Sequence, residues 1–214
     1  MQETGVELVF ILDRSASMFG LEEVTVEHFN SMIEKQKKCH GECVVTTVLF
    51  DTVCETVHDG VNLKNMEPLE VSRFEPQGHT ALMDAIGESI ERVKLIHRCE
   101  SGKEPPLQTV FVIITDGMEN ASKKYDADTV RVLIEEQTEK QGWRFLFLGA
   151  NMDALSMACE IGIDVANAVT YVNDYHGIIL NYEAVSNAIM EYRETGIISP
   201  AWKNKIAQCF DRRR

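Results

Sequence analysis

Apolar and polar residues fall in blocks whose period switches between that of a strand and that of a helix. Gly5-Val6-Glu7-Leu8-Val9-Phe10-Ile11-Leu12 is a nearly continuous apolar run halted by Asp13, the pattern of a strand covered on both faces. Glu7 is its one polar interruption, near the strand's start. Val26, Phe29 and Ile33 then recur at i, i+3 and i+7 and predict a helix. Residues 43–50 and 52–61 read as two strands, tightly joined through Phe50-Asp51-Thr52. The loop Glu75-Pro76-Gln77-Gly78 leads to Thr80, placed as a helix N-cap, and Leu82, Ile86, Ile90 and Val93 form the buried stripe of the helix behind it. Lys103-Glu104-Pro105-Pro106 breaks the chain before a second strongly apolar strand, 109–114, which runs into Thr115-Asp116-Gly117.

The alternation continues to the end. A helix around Val130, Leu133 and Ile134 precedes a strand at 144–148, and a short helix at 153–159 precedes a weak strand at Val169-Thr170-Tyr171. Ile178, Tyr182, Val185, Ile189 and Tyr192 mark one face of a long helix. Ser199-Pro200 reads as the N-cap and first residue of a C-terminal helix. With no internal repeat or linker, the expectation is one α/β domain over 1–214: a mostly parallel sheet with helices on both faces, a core at about 5–192 and a helical extension at about 199–212.

Composition narrows the function. The 214 residues carry 34 Asp and Glu against 21 Lys and Arg, a formal net charge of -13. Such a chain is repelled by phosphate backbones, which argues against nucleic acid as a ligand, and it is rich in groups that bind hard cations. No apolar run approaches the roughly 20 residues that cross a bilayer, and the start, Met1-Gln2-Glu3-Thr4, is acidic where a secretory signal is basic. The six scattered cysteines read as reduced thiols, so the expected location is cytoplasmic, with no membrane partner. Cys39-His40-Gly41-Glu42-Cys43 has the look of half a zinc site, but no second ligand pair follows it.

The candidate chemistry lies where apolar strands run out. Ligands of open α/β sheets bind at the carboxyl ends of the strands, near a switch in strand order. One such end gives Asp13-Arg14-Ser15-Ala16-Ser17 and another Thr115-Asp116-Gly117, while Gly78-His79-Thr80 opens a helix. Alternation sends Asp13, Ser15 and Ser17 to one side and Arg14 and Ala16 elsewhere. If the three loops converge, Asp13, Ser15, Ser17, Thr80 and Asp116 offer two carboxylates and three hydroxyls. These are hard oxygen ligands that suit Mg²⁺ or Mn²⁺, with a coordination position left for a partner's Asp or Glu.

These motifs resemble the metal-ion-dependent adhesion site of von Willebrand factor A domains, and the likeness spans roughly 5–192. It implies a Rossmann-like, doubly wound sheet of six strands with one antiparallel edge strand. It also implies that the two serines and the threonine meet the metal directly or through water, and that the aspartates often act through water. Ala16 stands where the family often has glycine, and His79 where it often has a small residue. Gly149-Ala150-Asn151 is similar to small cytoplasmic bacterial members, some linked to stress signalling or tellurium resistance.

Three functions compete on this reading. The first is a non-enzymatic, cation-dependent module that binds an acidic side chain of a partner protein. The second is a metal-dependent hydrolase or phosphotransferase. Against it, Ser15 stands where an Asp-x-Asp phosphatase needs its second acid, and no phosphate loop, dinucleotide fingerprint or nucleophile elbow is present. The third is a scaffold with no metal role. Beside the site, Asp51, Asp84 and His79 read as solvated, Glu119 and Asn120 as residues of the rim, and the short basic tail Arg212-Arg213-Arg214 carries no nucleic-acid signal.

Overall fold

The computed structural model describes residues 5–100, 108–150 and 153–213. The strands are β1 (Val6–Asp13), β2 (Cys43–Phe50), β3 (Cys54–Asn62), β4 (Gln108–Thr115), β5 (Arg144–Ala150) and β6 (Ala168–Tyr171). The helices are α1 (Glu22–Gln36), α2 (Leu82–Glu100), α3 (Ala127–Gln141), α4 (Ala154–Glu160), α5 (Tyr175–Thr195) and α6 (Asn204–Asp211). The break at Lys103-Glu104-Pro105-Pro106, the start Met1-Gln2-Glu3-Thr4, Asn151 and Arg214 lie outside the described residues.

The six strands form one sheet in the order β3-β2-β1-β4-β5-β6. Every neighbouring pair is parallel except β2 with β3, which makes β3 the antiparallel edge. Strand alternation splits the apolar residues of β1 between two cores. Leu8, Phe10 and Leu12 face α1 and α5, where Phe10 meets Phe29 edge-on at 5.3 Å and Phe29 meets Tyr182 at 6.2 Å. Val9 and Ile11 face α2, α3 and α4, packing with Ile86, Ile90, Val130 and Ile134. The helical stripes read from the sequence are thus the buried ones. Glu7 is buried as well, accepting hydrogen bonds from Thr109 and pairing with His97 at 2.8 Å.

Three local expectations change. The second hairpin strand begins at Cys54, not at residue 52, because Asp51 holds a tight turn: its Oδ1 accepts from the Val53 amide at 3.0 Å. Thr80 does not cap α2, which starts at Leu82. The exposed amides of its first turn are met from another loop instead, Met83 by Glu119 at 2.9 Å and Asp84 by Ser122 at 3.0 Å. Ser199 does cap, accepting from the Ala201 amide, but the turn it opens (Pro200–Lys203) is a 3-10 helix that leads into α6. That stretch packs on the core through Trp202 and Ile206 and lies along the outer edge of β6, where Lys203 Nζ donates to the Ala168 carbonyl at 2.7 Å and Trp202 Nε1 to Ala166 at 3.2 Å.

Candidate metal centre

The strand order turns at β1, whose two neighbours are reached by crossovers running in opposite directions, and the crevice opens between the carboxyl ends of β1 and β4. Asp13 is the last residue of β1. Its Oδ1 accepts from the Ser15 amide at 2.7 Å, which bends the chain into a 3-10 turn at Ala16–Met18. Its Oδ2 accepts from the hydroxyl of Thr115, the last residue of β4, at 2.6 Å. The Ser15 and Ser17 hydroxyls lie 3.0 Å apart, and Ser17 donates to Asp116 Oδ1 at 2.6 Å. Thr80 completes the group: a Cβ on Gly117 would stand 2.8 Å from Thr80 Oγ1 and 3.8 Å from Ser17 Oγ. Only glycine lets the two loops come this close. The five residues singled out in the sequence are therefore brought together. Asp13, Ser15, Thr80 and Asp116 are buried beneath an exposed Ser17.

Arg14 points away, as alternation requires, and clamps the neighbouring loops. Its Nε pairs with Asp51 at 3.0 Å, and its Nη1 reaches Glu55 at 2.7 Å and the Arg73 carbonyl at 3.0 Å. The backbone carbonyls of Arg14 and Asp51 accept from Gln77 and Ala81, fixing both sides of the Thr80 loop. Gly78, at φ +65, sits where a Cβ would fall 2.6 Å from Thr52 Oγ1. Asp51 and Asp84 are thus not solvated surface. Asp51 is buried on Arg14, and Asp84 accepts the amides of Lys123, Lys124 and Tyr125. Asn120 holds Thr80 from both sides, accepting from its amide and donating to its carbonyl, each at 3.0 Å. His79 is exposed, its amide bonded to Thr52. The loops meet with Ala16 and His79 in place.

Burial pushes the Asp13 carboxyl above its ordinary range; hydrogen bonds from Thr115 and Ser15 draw it back, and the charge of Asp116 pushes it up further. Burial raises Asp116 too, against hydrogen bonds from Ser17 and Asn173. Two buried acids this close favour a shared positive charge between them. Among the described residues no three His, Cys, Asp or Glu side chains group closely enough to hold a metal, so a cation here must draw on hydroxyls as well. The donor set fits a hard divalent ion: two carboxylates balance its charge, and three hydroxyls add ligands without adding charge. Cys43, by contrast, is a buried thiol pushed up to about 12, far from the thiolate that zinc takes.

Three residues near the site escaped the sequence reading. Asn173, just past β6, donates its Nδ2 to Asp116 Oδ2 at 2.7 Å. Its signal was that it is polar at the carboxyl end of a strand, as Asp13 and Asp116 are, but β6 was weakly marked. Phe19 and Met118, each two residues beyond a site residue, stand 82% and 62% exposed. Both are apolar side chains open to solvent on the loops that carry the site.

Fold and site together define a von Willebrand factor A fold. No family model and no curated protein matches the chain in sequence. Solved structures do match in fold. Proximal thread matrix protein 1 of the mussel byssus aligns at a TM-score of 0.61 with 14% identity, over 87% of this chain and 46% of that one. A further structure of it, at a TM-score of 0.60 and 15% identity over the same shares of the two chains, is described as having a zinc-occupied MIDAS motif. A von Willebrand factor type A protein from Catenulispora acidiphila aligns at 0.56 with 14% identity, over 87% of this chain and 43% of that one. BatB from Bacteroides thetaiotaomicron aligns at 0.58 with 16% identity, over 89% of this chain and 100% of that one. This chain spans less than half the length of the mussel and Catenulispora chains.

Proposed function

We propose that the protein is a divalent-cation-dependent binding module that engages an acidic side chain of a partner protein, and that it is not an enzyme. The observation that carries this reading is the convergence of Asp13, Ser15, Ser17, Thr80 and Asp116 on one small volume, buried at its floor and open to solvent at Ser17. These residues would hold Mg²⁺ or Mn²⁺. The ion, when bound, supplies an electrophilic contact for a carboxylate. Asp13 and Asp116 supply the countercharge, the hydroxyls add ligands without adding charge, and Phe19 and Met118 offer the partner apolar surface around it. The non-catalytic reading is supported by the engagement of all four carboxylate oxygens, by the Ser15 amide, Thr115, Ser17 and Asn173.

Within this function we place the protein in the cytoplasm, a reading supported by six free thiols. A role in bacterial stress or tellurium-resistance signalling rests on Gly149-Ala150, since Asn151 of that motif is not described. The test is a pull-down from the native host with Mg²⁺ against EDTA, run beside Asp13→Ala. A partner retained by the wild type with metal alone, and never by the variant, supports the proposal. Equal retention in all arms refutes it, and Mg²⁺-dependent phosphatase or ATPase turnover lost in the variant would establish an enzyme instead.

A further inference from the structure

The two carboxylates of the crevice are fully engaged by hydrogen bonds, and one buried side-chain atom beside them is not. Asn173 lies between β6 and α5, and an ionised Asp116 can only accept, so the amide must present its NH₂ to Asp116 Oδ2. That fixes the direction of its oxygen. Asn173 Oδ1 is buried and has no hydrogen-bond partner among the described residues. A buried acceptor left unmet costs about 1–3 kcal/mol, and native structures avoid such losses unless a water or ion is the partner. Here the group on its other side is a carboxylate of the candidate cation site. Five side chains giving one oxygen each leave an octahedral shell one ligand short, and Mg²⁺ characteristically keeps waters.

Building on the cation reading above, we propose that Asn173 is a sixth residue of the metal centre. It is a positioning residue that orients Asp116 through its NH₂ and takes a hydrogen bond from the cation's hydration water on its oxygen. Cation binding therefore orders the connection from β6 into α5. The connection is short: Asp174, the next residue, caps α5 by accepting from the Gly177 amide at 2.8 Å and pairs with Arg213 beyond α6.

The experiment is calorimetric titration of Mn²⁺ into the full chain, for wild type, Asn173→Ala and Asp13→Ala, with hydrogen exchange of the wild type in Mn²⁺ and in EDTA. Outer residues of metal sites typically alter affinity about 10–100-fold. Asn173→Ala is expected to weaken Mn²⁺ at least about 10-fold, and the amides of 172–178 to gain protection with Mn²⁺. Wild-type affinity in Asn173→Ala, with Asp13→Ala binding none, overturns the role of Asn173 and leaves the cation site standing. Wild-type affinity in Asp13→Ala overturns both. Should Asn173→Ala fail to fold, exchange in the wild type decides: protection at 172–178 unchanged by bound Mn²⁺ overturns the proposal.

Discussion

The hydroxyl of Thr115 donates to Asp13 Oδ2 at 2.6 Å, so the last residue of β4 holds the last residue of β1 across the sheet. The bond joins two strands whose ends carry the two acids of the site, and it sets where Asp13 points before any ion arrives. Thr115→Val keeps the shape and removes the donor. The variant is expected to bind Mn²⁺ about 10-fold more weakly, since such second contacts tune metal ligands. In EDTA it should lose about 1–2 kcal/mol of stability, the cost of a buried hydrogen bond unmade. Calorimetry and urea unfolding measure the two effects separately, and unchanged affinity would show that Asp13 needs no such support.

Asp13 and Asp116 also weaken the cation-free fold at neutral pH. A carboxyl whose native pKa is raised contributes its stability in full below the unfolded value of 3.8 and loses it as pH rises through the raised native value. At pH 7 in EDTA, Asp13→Asn should therefore melt above the wild type, by about 2–4 °C for each kcal/mol recovered in a chain of this size. The Thr115 hydroxyl can turn to donate to the Gly117 carbonyl, 3.1 Å away, and accept from the new amide. Mg²⁺ should raise the melting point of the wild type and leave the variant unmoved. A variant that melts lower in EDTA contradicts the electrostatic argument.

Arg14 lies between two site residues and does the opposite work. Truncation to alanine strands Asp51, buried at 2% exposure, without its partner. Breaking a buried ion pair from one side costs about 3–5 kcal/mol. Asp51 also anchors the Thr80 loop through its backbone, so Arg14→Ala should lose cation affinity together with stability. A variant as stable as the wild type in urea would show that the pair carries little.

Phe19 and Met118 make the converse case. Exposed substitutions away from special features usually stay within about 0.5 kcal/mol, so Phe19→Ser and Met118→Ser should fold and bind Mn²⁺ as the wild type does. What they should lose is the partner retained by Mg²⁺ in the pull-down, by about 10-fold or more if these side chains are anchors of the contact. Retention equal to the wild type would confine recognition to the ion.

Much of this centre was legible because its signals are local. Asp13-Arg14-Ser15-Ala16-Ser17 and Thr115-Asp116-Gly117 each follow an apolar run, and strand alternation alone sends Arg14 away from Ser15. The helical stripes of α1, α2 and α5 followed from period in the same way. What escaped depends on distant chain. Glu119 and Ser122 cap α2 from 36 and 38 residues away, which freed Thr80 from the cap its sequence position suggests. Asp51 looked solvated because its cation lies 37 residues earlier in the chain. Asn173 sits 57 residues from the carboxylate it holds. Periodicity carries no information on such pairs.

The stretch that lies along β6 has a consequence for assembly. An open strand edge invites another chain to add itself to the sheet. With Lys203 on the Ala168 carbonyl and Trp202 on that of Ala166, just before β6, the start of that flank is covered, and the opposite flank, β3, pairs with β2 through shifts in register at Val45/Thr47 and Thr47/Val48. Lateral addition of a further strand is thereby hindered at both flanks of the sheet.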